Sequence, residues 1–324
     1  MPTGRSNSSN RMKSAVLPNP LRGIVPPLAT PLLGQDRLDA AGLERLIEHV
    51  LAGGVHGLFV LGSTGEGPSL SRRVRCEVIE RTCDLTGGRV PVLVGITDSS
   101  LVDSVAMAEH AADCGAAAVV HAGPYYFPLA QPELAAYAEN LAAALPLPLF
   151  LYNMPSHTKV NFDPDTVLRL LQVTNIAGIK DSSGQMLSFK KILHVASSRP
   201  DFSVLIGPEE LLGEAVLMGA HGGVTGGANL DPALYVSLYE AALAGDLERT
   251  RTLSARVLRI SNSIYALGMF WSSYLQGLKG ALASMGICDD LPAAPFQRLS
   301  SAERDLLDQS VRELGLVTGA AASA

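Results

Sequence analysis

The chain has 324 residues, 47% of them apolar and 5% aromatic, and 25 lysines and arginines against 31 acidic residues give a formal net charge of −6. A chain of this length forms about two ordinary domains or a single large α/β barrel. Because phosphate binding needs clustered Lys and Arg and no basic block is present, nucleic acid and anionic membranes are excluded as expected partners.

The cysteines and the N-terminal stretch favour a cytoplasmic protein. The four cysteines form no CxxC pair, which favours free thiols in a reducing compartment. No apolar run reaches the roughly 18 residues of a membrane-spanning helix. Residues 1–20 are polar and lack the apolar segment of a secretory signal, so we expect a disordered tail there.

From residue 21 to residue 230, short apolar runs alternate with helical patterns. Continuous apolar runs are typical of strands buried on both faces of a parallel sheet. The predicted strands are 23–32, 57–62, 91–96, 117–122, 148–153, 176–181, 202–207 and 221–226. Eight strand–helix units predict a (β/α)8 TIM barrel over 21–230. The alternative is an open doubly wound sheet, but no GxGxxG fingerprint follows the first strand.

Residues 231–316 have helical patterns throughout and predict a C-terminal helical extension packed on the barrel. One of its helices is predicted to begin at Met269. Residues 317–324 are expected to be frayed. Within the barrel, Asp39, Ser71 and Asp163 are predicted helix N-caps.

Lys180 ends the sixth predicted strand, in the segment IAGIKDSSG. Alternate strand residues share a face, so Gly178 and Lys180 are expected to point into the barrel, opposite Ala177 and Ile179. A buried ammonium is costly unless it is paired or loses its proton, and a neutral amine can attack a ketone to form a Schiff base. The alternative is a structural lysine paired with a carboxylate, such as Asp181.

The second predicted strand ends in GSTGEG, residues 62–67. Its glycines allow successive N–H groups to converge on an anion, and Ser63 and Thr64 add two hydroxyls. The segment matches neither the phosphate-binding loop nor GxGxxG. A carboxylate site and a simple strand–helix turn both remain open.

Tyrosines lie at two further strand ends, where active sites of such barrels are found. Tyr152 ends the fifth strand, and Tyr125 and Tyr126 follow the fourth in PYYF. A positioned phenol can transfer protons, and packing is the alternative. The histidines show no ligand spacing with thiols or carboxylates, so we expect no metal and no other cofactor.

Together, GSTGE, PYY, YNMP and GIKDSSG occur in an order that resembles the dihydrodipicolinate synthase / N-acetylneuraminate lyase family of class I aldolases. The likeness extends from about residue 21 to residue 316 and includes the GLKGAL stretch. It implies a TIM-barrel lyase without a cofactor that joins pyruvate or another 2-oxo acid to an aldehyde, or releases it. It also implies a homotetramer, built as a dimer of dimers.

The resemblance implies a role for each catalytic residue. Lys180 would form the imine, and Tyr152 would relay protons. Ser63 would connect Tyr152 to Tyr126, which would reach in from a neighbouring subunit. Thr64 would bind the substrate carboxylate.

It also implies the other substrate-binding positions. The loop backbone at Gly62 and Gly65 would bind the carboxylate together with Thr64. Val224 and Gly207 would line the pocket.

His157 departs from the family pattern. Dihydrodipicolinate synthases carry an arginine at this position, which binds the carboxylate of the second substrate, and histidine lacks both the permanent charge and the bidentate fork of arginine. Lys159 or Arg22 could replace that charge. The alternatives are therefore a 2-keto-3-deoxy sugar acid aldolase or dehydratase, an N-acetylneuraminate lyase-like enzyme, and a non-catalytic oxo-acid-binding barrel.

Overall fold

The computed structural model describes residues 15–267 and 272–317. The first 14 residues of the predicted tail, residues 318–324 of the predicted frayed end and the predicted helix start at Met269 lie outside the described residues. Within them, no helix is both long enough and apolar enough to cross a membrane.

Eight parallel strands form the barrel predicted from the sequence. The strands are β1 (Gly23–Ile24), β2 (Leu58–Val60), β3 (Val92–Gly95), β4 (Ala118–Ala122), β5 (Leu149–Asn153), β6 (Ile176–Asp181), β7 (Ser203–Ile206) and β8 (Gly222–Gly223). Consecutive strands pair from β2 to β8, and β8 pairs with β1. The segment after β1 closes the ring against β2, because Leu28 N–H donates to the Phe59 carbonyl at 2.8 Å.

Helices alternate with these strands and cover the outside of the barrel. They are α1 (Ala40–Ala52), α2 (Arg72–Thr86), α3 (Leu101–Asp113), α4 (Gln131–Ala144), α5 (Pro164–Leu170), α6 (Met186–Ala196), α7 (Leu212–Leu217) and α8 (Pro232–Leu243). The predicted N-caps Asp39 and Ser71 are confirmed, since their side chains accept from Gly42 N–H and Val74 N–H. Asp163 occupies the predicted N-cap position of α5, but its side chain makes no capping hydrogen bond.

The C-terminal helices pack on this barrel. They are α9 (Leu247–Ile260), α10 (Ser273–Ser284) and α11 (Ser301–Glu313), and a π-helical turn, Ser261–Tyr265, follows α9. Leu278, Ala281 and Leu307 are buried in the same apolar core as the barrel helices. Burial of this apolar surface holds the extension on the barrel.

Strand alternation places one set of side chains inside the barrel and the other under the helices. Phe59 and Phe150 belong to the interior cluster, and Ile179 belongs to the outer one. The prediction that Ala177 points outward with Ile179 is wrong. A register irregularity between β5 and β6 at Leu149 interrupts the alternation, and Ala177 packs against the interior cluster.

Candidate active site

Lys180 and Tyr152 are directly opposite each other on β6 and β5, and both face the barrel interior. The Lys180 Nζ lies 4.1 Å from the centroid of the Tyr152 ring and 5.3 Å from that of Phe59. Both residues are buried, with 6% and 5% of their surface exposed. The amine is therefore held against two aromatic faces at the carboxyl-terminal end of the barrel.

Asp181 is not the partner of Lys180. Its carboxylate accepts a hydrogen bond from the Asn153 side-chain amide at 3.2 Å and one from Ser183 N–H at 2.7 Å. These contacts lie on the opposite face of β6, because successive strand residues alternate. The ion pair considered as an alternative is thus wrong for Asp181.

The Tyr152 hydroxyl lies 3.3 Å from Ser63 Oγ. Burial alone raises the pKa of this phenol, but the nearby charge of Lys180 and hydrogen bonds to Ser63 and Ser182 outweigh burial and lower it. A phenol with a lowered pKa gives up its proton more readily, which suits a group that must both donate and accept a proton.

The GSTGEG loop places its two hydroxyl residues and its glycines differently. Ser63 and Thr64 line the cleft above Lys180. Gly62 lies below it, where a Cβ would come within 2.6 Å of the Phe59 ring. The Gly65 carbonyl accepts from the Thr30 hydroxyl at 2.7 Å. A Cβ at Gly65 would lie 2.9 Å from the Leu28 carbonyl oxygen, so both glycines allow close packing beneath the loop.

The cleft has a volume of about 780 Å³, and Gly207 and Val224 line it together with Lys180. A Cβ at Gly207 would lie 1.9 Å from Ser182 Oγ, so no larger residue fits there without a shift. Within the described residues, no group of three or more His, Cys, Asp or Glu is arranged to hold a metal ion.

His157 and Lys159 lie on one wall of the cleft, in and just after the short helix Pro155–Thr158. Burial, followed by the positive charges of Lys159 and Lys180, lowers the pKa of His157, so the imidazole is neutral near pH 7. The Lys159 Nζ donates to the Ser156 carbonyl at 2.7 Å. Arg22 lies next to β1 at the opposite end of the barrel, where its charge acts on His221, and it cannot replace the missing arginine.

Tyr126 does not enter the cleft of its own chain. It is 77% exposed, and its ring meets that of Phe127 edge-on at 5.1 Å. Its neighbour Tyr125 lines the cleft instead.

Sequence reasoning missed a buried polar network that closes the cleft on the side of the C-terminal helices. Glu209 accepts from the hydroxyls of Tyr235 at 2.7 Å and Tyr265 at 3.0 Å, and from Gly227 N–H at 2.7 Å. Tyr274 lies 3.1 Å from Thr64, measured between the two hydroxyl oxygens. Glu209 and Glu210 follow the seventh strand in the sequence, at the end where active sites of such barrels lie. The helical pattern of the C-terminal residues gives no sign that tyrosines from it reach the cleft.

This arrangement defines a class of protein: a (β/α)8-barrel enzyme with a buried amine and a phenol at the carboxyl ends of neighbouring strands. Residues 20–314 match the model of the Dihydrodipicolinate synthetase family. The chain belongs to this family and is a lyase.

Individual relatives are similar over most of their length. The structure of dihydrodipicolinate synthase from Bacteroides thetaiotaomicron is 54% identical, with a TM-score of 0.89 over 91% of this chain and 99% of that one. The prophage protein YagE of Escherichia coli K12, solved in complex with pyruvate, is 28% identical, with a TM-score of 0.85 over 91% and 99%. The probable 2-dehydro-3-deoxy-D-pentonate aldolase YjhH of Escherichia coli is 36% identical over 76% of this chain and 82% of its own length.

Proposed function

We propose that this lyase forms an imine between Lys180 and pyruvate or a related 2-oxo acid, and joins it to an aldehyde or releases it from one. The observation that carries this proposal is the buried Lys180 amine, 4.1 Å from the centroid of the Tyr152 ring at the base of the cleft. The pyruvate complex of YagE supports the choice of 2-oxo acid. Lys180, Tyr152 and the hydroxyl residues of the GSTGEG loop lie in one cleft. This combination argues against a non-catalytic binding barrel.

In the proposed reaction, the Lys180 Nζ adds to the ketone carbon of pyruvate to give a carbinolamine. Tyr152 donates a proton to the departing oxygen, and loss of water gives the protonated imine. The Tyr152 phenolate left by this step accepts a proton from the methyl carbon, and the protonated imine takes up the electron pair of the C–H bond to give an enamine. The enamine attacks the aldehyde carbon, Tyr152 returns the proton to the aldehyde oxygen, and water hydrolyses the imine to release the product and restore the Lys180 amine. The reverse sequence cleaves the same carbon–carbon bond.

The substrate carboxylate is proposed to bind at the loop beside this amine. Thr64 lines the cleft and supplies a hydroxyl, and we propose that the loop backbone at Gly62 and Gly65 adds N–H donors. Gly207 and Val224 form the facing wall. Ser63 connects Tyr152 to the loop at 3.3 Å.

Two classes of second substrate fit the cleft wall around His157 and Lys159. A dihydrodipicolinate synthase activity requires aspartate semialdehyde, and Lys159 supplies the cation on the wall where His157 replaces arginine. The competing candidate is a 2-keto-3-deoxy sugar acid aldolase or dehydratase. It is favoured by neutral His157 and by Glu210 on the cleft wall, since carboxylates accept from sugar hydroxyls.

The assembly is proposed to be a homotetramer in which Tyr126 completes the site of a neighbouring subunit. Three consecutive aromatic side chains, Tyr125, Tyr126 and Phe127, are exposed on the loop before α4, which supports burial against a second chain. The free thiols of all four cysteines support a cytoplasmic location.

Borohydride trapping tests the imine. Incubation with pyruvate and borohydride should add one reduced three-carbon unit per subunit, and peptide mapping should locate it on Lys180. Lys180→Met should abolish the adduct. Lys159→Met is the matched control, because it removes the other cleft lysine and should leave the adduct in place. An unmodified Lys180 in the wild-type protein would overturn the proposal.

A substrate panel separates the two reaction classes. Pyruvate with aspartate semialdehyde tests the synthase activity, and 2-keto-3-deoxy sugar acids test cleavage. Release of pyruvate from a sugar acid identifies an aldolase. Loss of the sugar acid without pyruvate identifies a dehydratase.

A further inference from the structure

The C-terminal extension reaches the candidate active site through one hydroxyl. Tyr274, in the first turn of α10, places its hydroxyl oxygen 3.1 Å from Thr64 Oγ1, and both residues line the cleft. Thr64 is the residue proposed to bind the substrate carboxylate. The residue that hydrogen-bonds to the Thr64 hydroxyl therefore affects whether this hydroxyl can donate its proton to the substrate.

The direction of this hydrogen bond follows from the chemistry of the ligand. A carboxylate is only an acceptor, so Thr64 must donate its single hydroxyl proton to bind one. The Thr64 oxygen can then only accept from Tyr274, which must be the donor. Burial raises the pKa of Tyr274, which keeps the phenol protonated and able to donate.

The position of Tyr274 is itself determined by the buried network around Glu209. The Tyr265 ring meets the Tyr274 ring edge-on at 4.7 Å, and the Tyr265 hydroxyl donates to Glu209 at 3.0 Å. On the other side, a Cβ at Gly226 would lie 1.8 Å from the Tyr274 hydroxyl oxygen. Only glycine at this position leaves room for the phenol.

A second contact joins the same helix to the same loop. Lys279 on α10 and Glu66 of the GSTGEG loop form a fully buried ion pair with Nζ and Oε1 2.6 Å apart. The other oxygen of Glu66 accepts from Ala293 N–H at 2.6 Å. Since Glu66 has a left-handed backbone at φ 56°, these contacts hold the loop in a conformation that non-glycine residues rarely adopt.

We propose that Tyr274 is a positioning residue that donates to Thr64 and so directs the Thr64 hydroxyl proton toward the substrate carboxylate. The inference rests on the proposed imine function and adds the C-terminal extension to the oxo-acid site. Tyr274 acts through Thr64, so removing its hydroxyl weakens binding of the 2-oxo acid and leaves imine chemistry at saturation intact.

A double-mutant cycle with Tyr274→Phe and Thr64→Val tests this, with the pyruvate concentration that gives half-maximal borohydride trapping as the readout. Tyr274→Phe should raise that concentration about 3- to 10-fold, the usual weight of one hydrogen bond. Trapping at saturating pyruvate should be unchanged. In the Thr64→Val background, Tyr274→Phe should have no further effect.

Tyr137→Phe is the matched control, because it removes a hydroxyl outside this network, which lies 3.3 Å from His121 Nε2. This variant should unfold at a lower urea concentration than wild type. The pyruvate concentration that gives half-maximal trapping should not change. If Tyr274→Phe does not fold, Tyr274→Met also removes the hydroxyl and fills the space with a flexible side chain.

The inference would be overturned if a folded Tyr274 variant needed the same pyruvate concentration as wild type for half-maximal trapping. It would also be overturned if the fold-change in the double variant equalled the product of the two single fold-changes. Both results leave the proposed function standing, provided that the wild-type protein is trapped on Lys180. Absence of trapping in the wild-type protein overturns the function and the inference together.

Discussion

Tyr152 and Lys180 are paired across β5 and β6, so the register of two neighbouring strands sets the distance between the phenol and the amine. Their side chains share the interior face, and the Nζ lies over the Tyr152 ring. A strand pair is stiffer than a loop, and a catalytic pair on rigid elements is held more accurately. The geometry at the base of the cleft is therefore formed before any substrate binds.

Tyr152→Phe should lower turnover by about 10²–10⁴-fold, the usual contribution of general acid–base catalysis. Imine formation should persist slowly, because Lys180 remains. Steady-state rates together with borohydride trapping measure the two effects separately. Tyr125→Phe, which removes a phenol from the cleft wall, should retain nearly wild-type turnover. Wild-type turnover in Tyr152→Phe would exclude Tyr152 from proton transfer.

Glu209 should make the stability of the protein depend on pH. Burial raises the pKa of this carboxyl from its ordinary 4.5 to about 7, although Gly227 N–H and the Tyr235 and Tyr265 hydroxyls act in the opposite direction. The folded state then binds the proton more tightly than the unfolded state. The stabilisation is fully present below about pH 4.5 and is lost as the pH rises through about 7, a change of about 3 kcal/mol.

Urea unfolding of wild type and Glu209→Gln at about pH 5 and about pH 8 measures this effect. Other titrating groups are shared by both proteins, so their contributions cancel in the difference. Glu209→Gln should lose less stability than wild type over this interval. Parallel pH profiles would show that Glu209 is ionised in the folded protein throughout.

The elements of the barrel and the buried, inward position of Lys180 could be predicted from sequence because both depend on local pattern. Apolar runs identified the strands, and the position of Lys180 at a strand end indicated its location at the carboxyl-terminal side of the barrel. Tyr274 could not be predicted in the same way. It lies 210 residues from Thr64, and only tertiary packing of α10 brings the two hydroxyls together. The inward position of Ala177 was also hidden, since a register irregularity leaves no mark in the alternation of residue types.

His157→Arg should increase condensation of pyruvate with aspartate semialdehyde. Arginine adds a permanent charge and a bidentate fork on the wall where the neutral imidazole now lies. The ratio of kcat/KM for aspartate semialdehyde to that for a 2-keto-3-deoxy sugar acid is the measurement. His157→Gln, which is neutral like the wild-type imidazole, is the control. No change in the ratio for His157→Arg would mean that His157 does not face the second substrate.

Tyr126 should act on a neighbouring subunit, because its side chain is exposed and lies outside the cleft of its own chain. Tyr126→Phe and Lys180→Met should each have low activity alone. Mixed oligomers should recover activity, since a subunit with an intact Lys180 can receive the intact Tyr126 of a Lys180→Met partner. Mixing Lys180→Met with Tyr152→Phe is the control, because every subunit then carries a defect in its own site. Recovery in the first mixture alone, measured after subunit exchange, would establish that the site is shared, and no recovery would confine each site to a single chain.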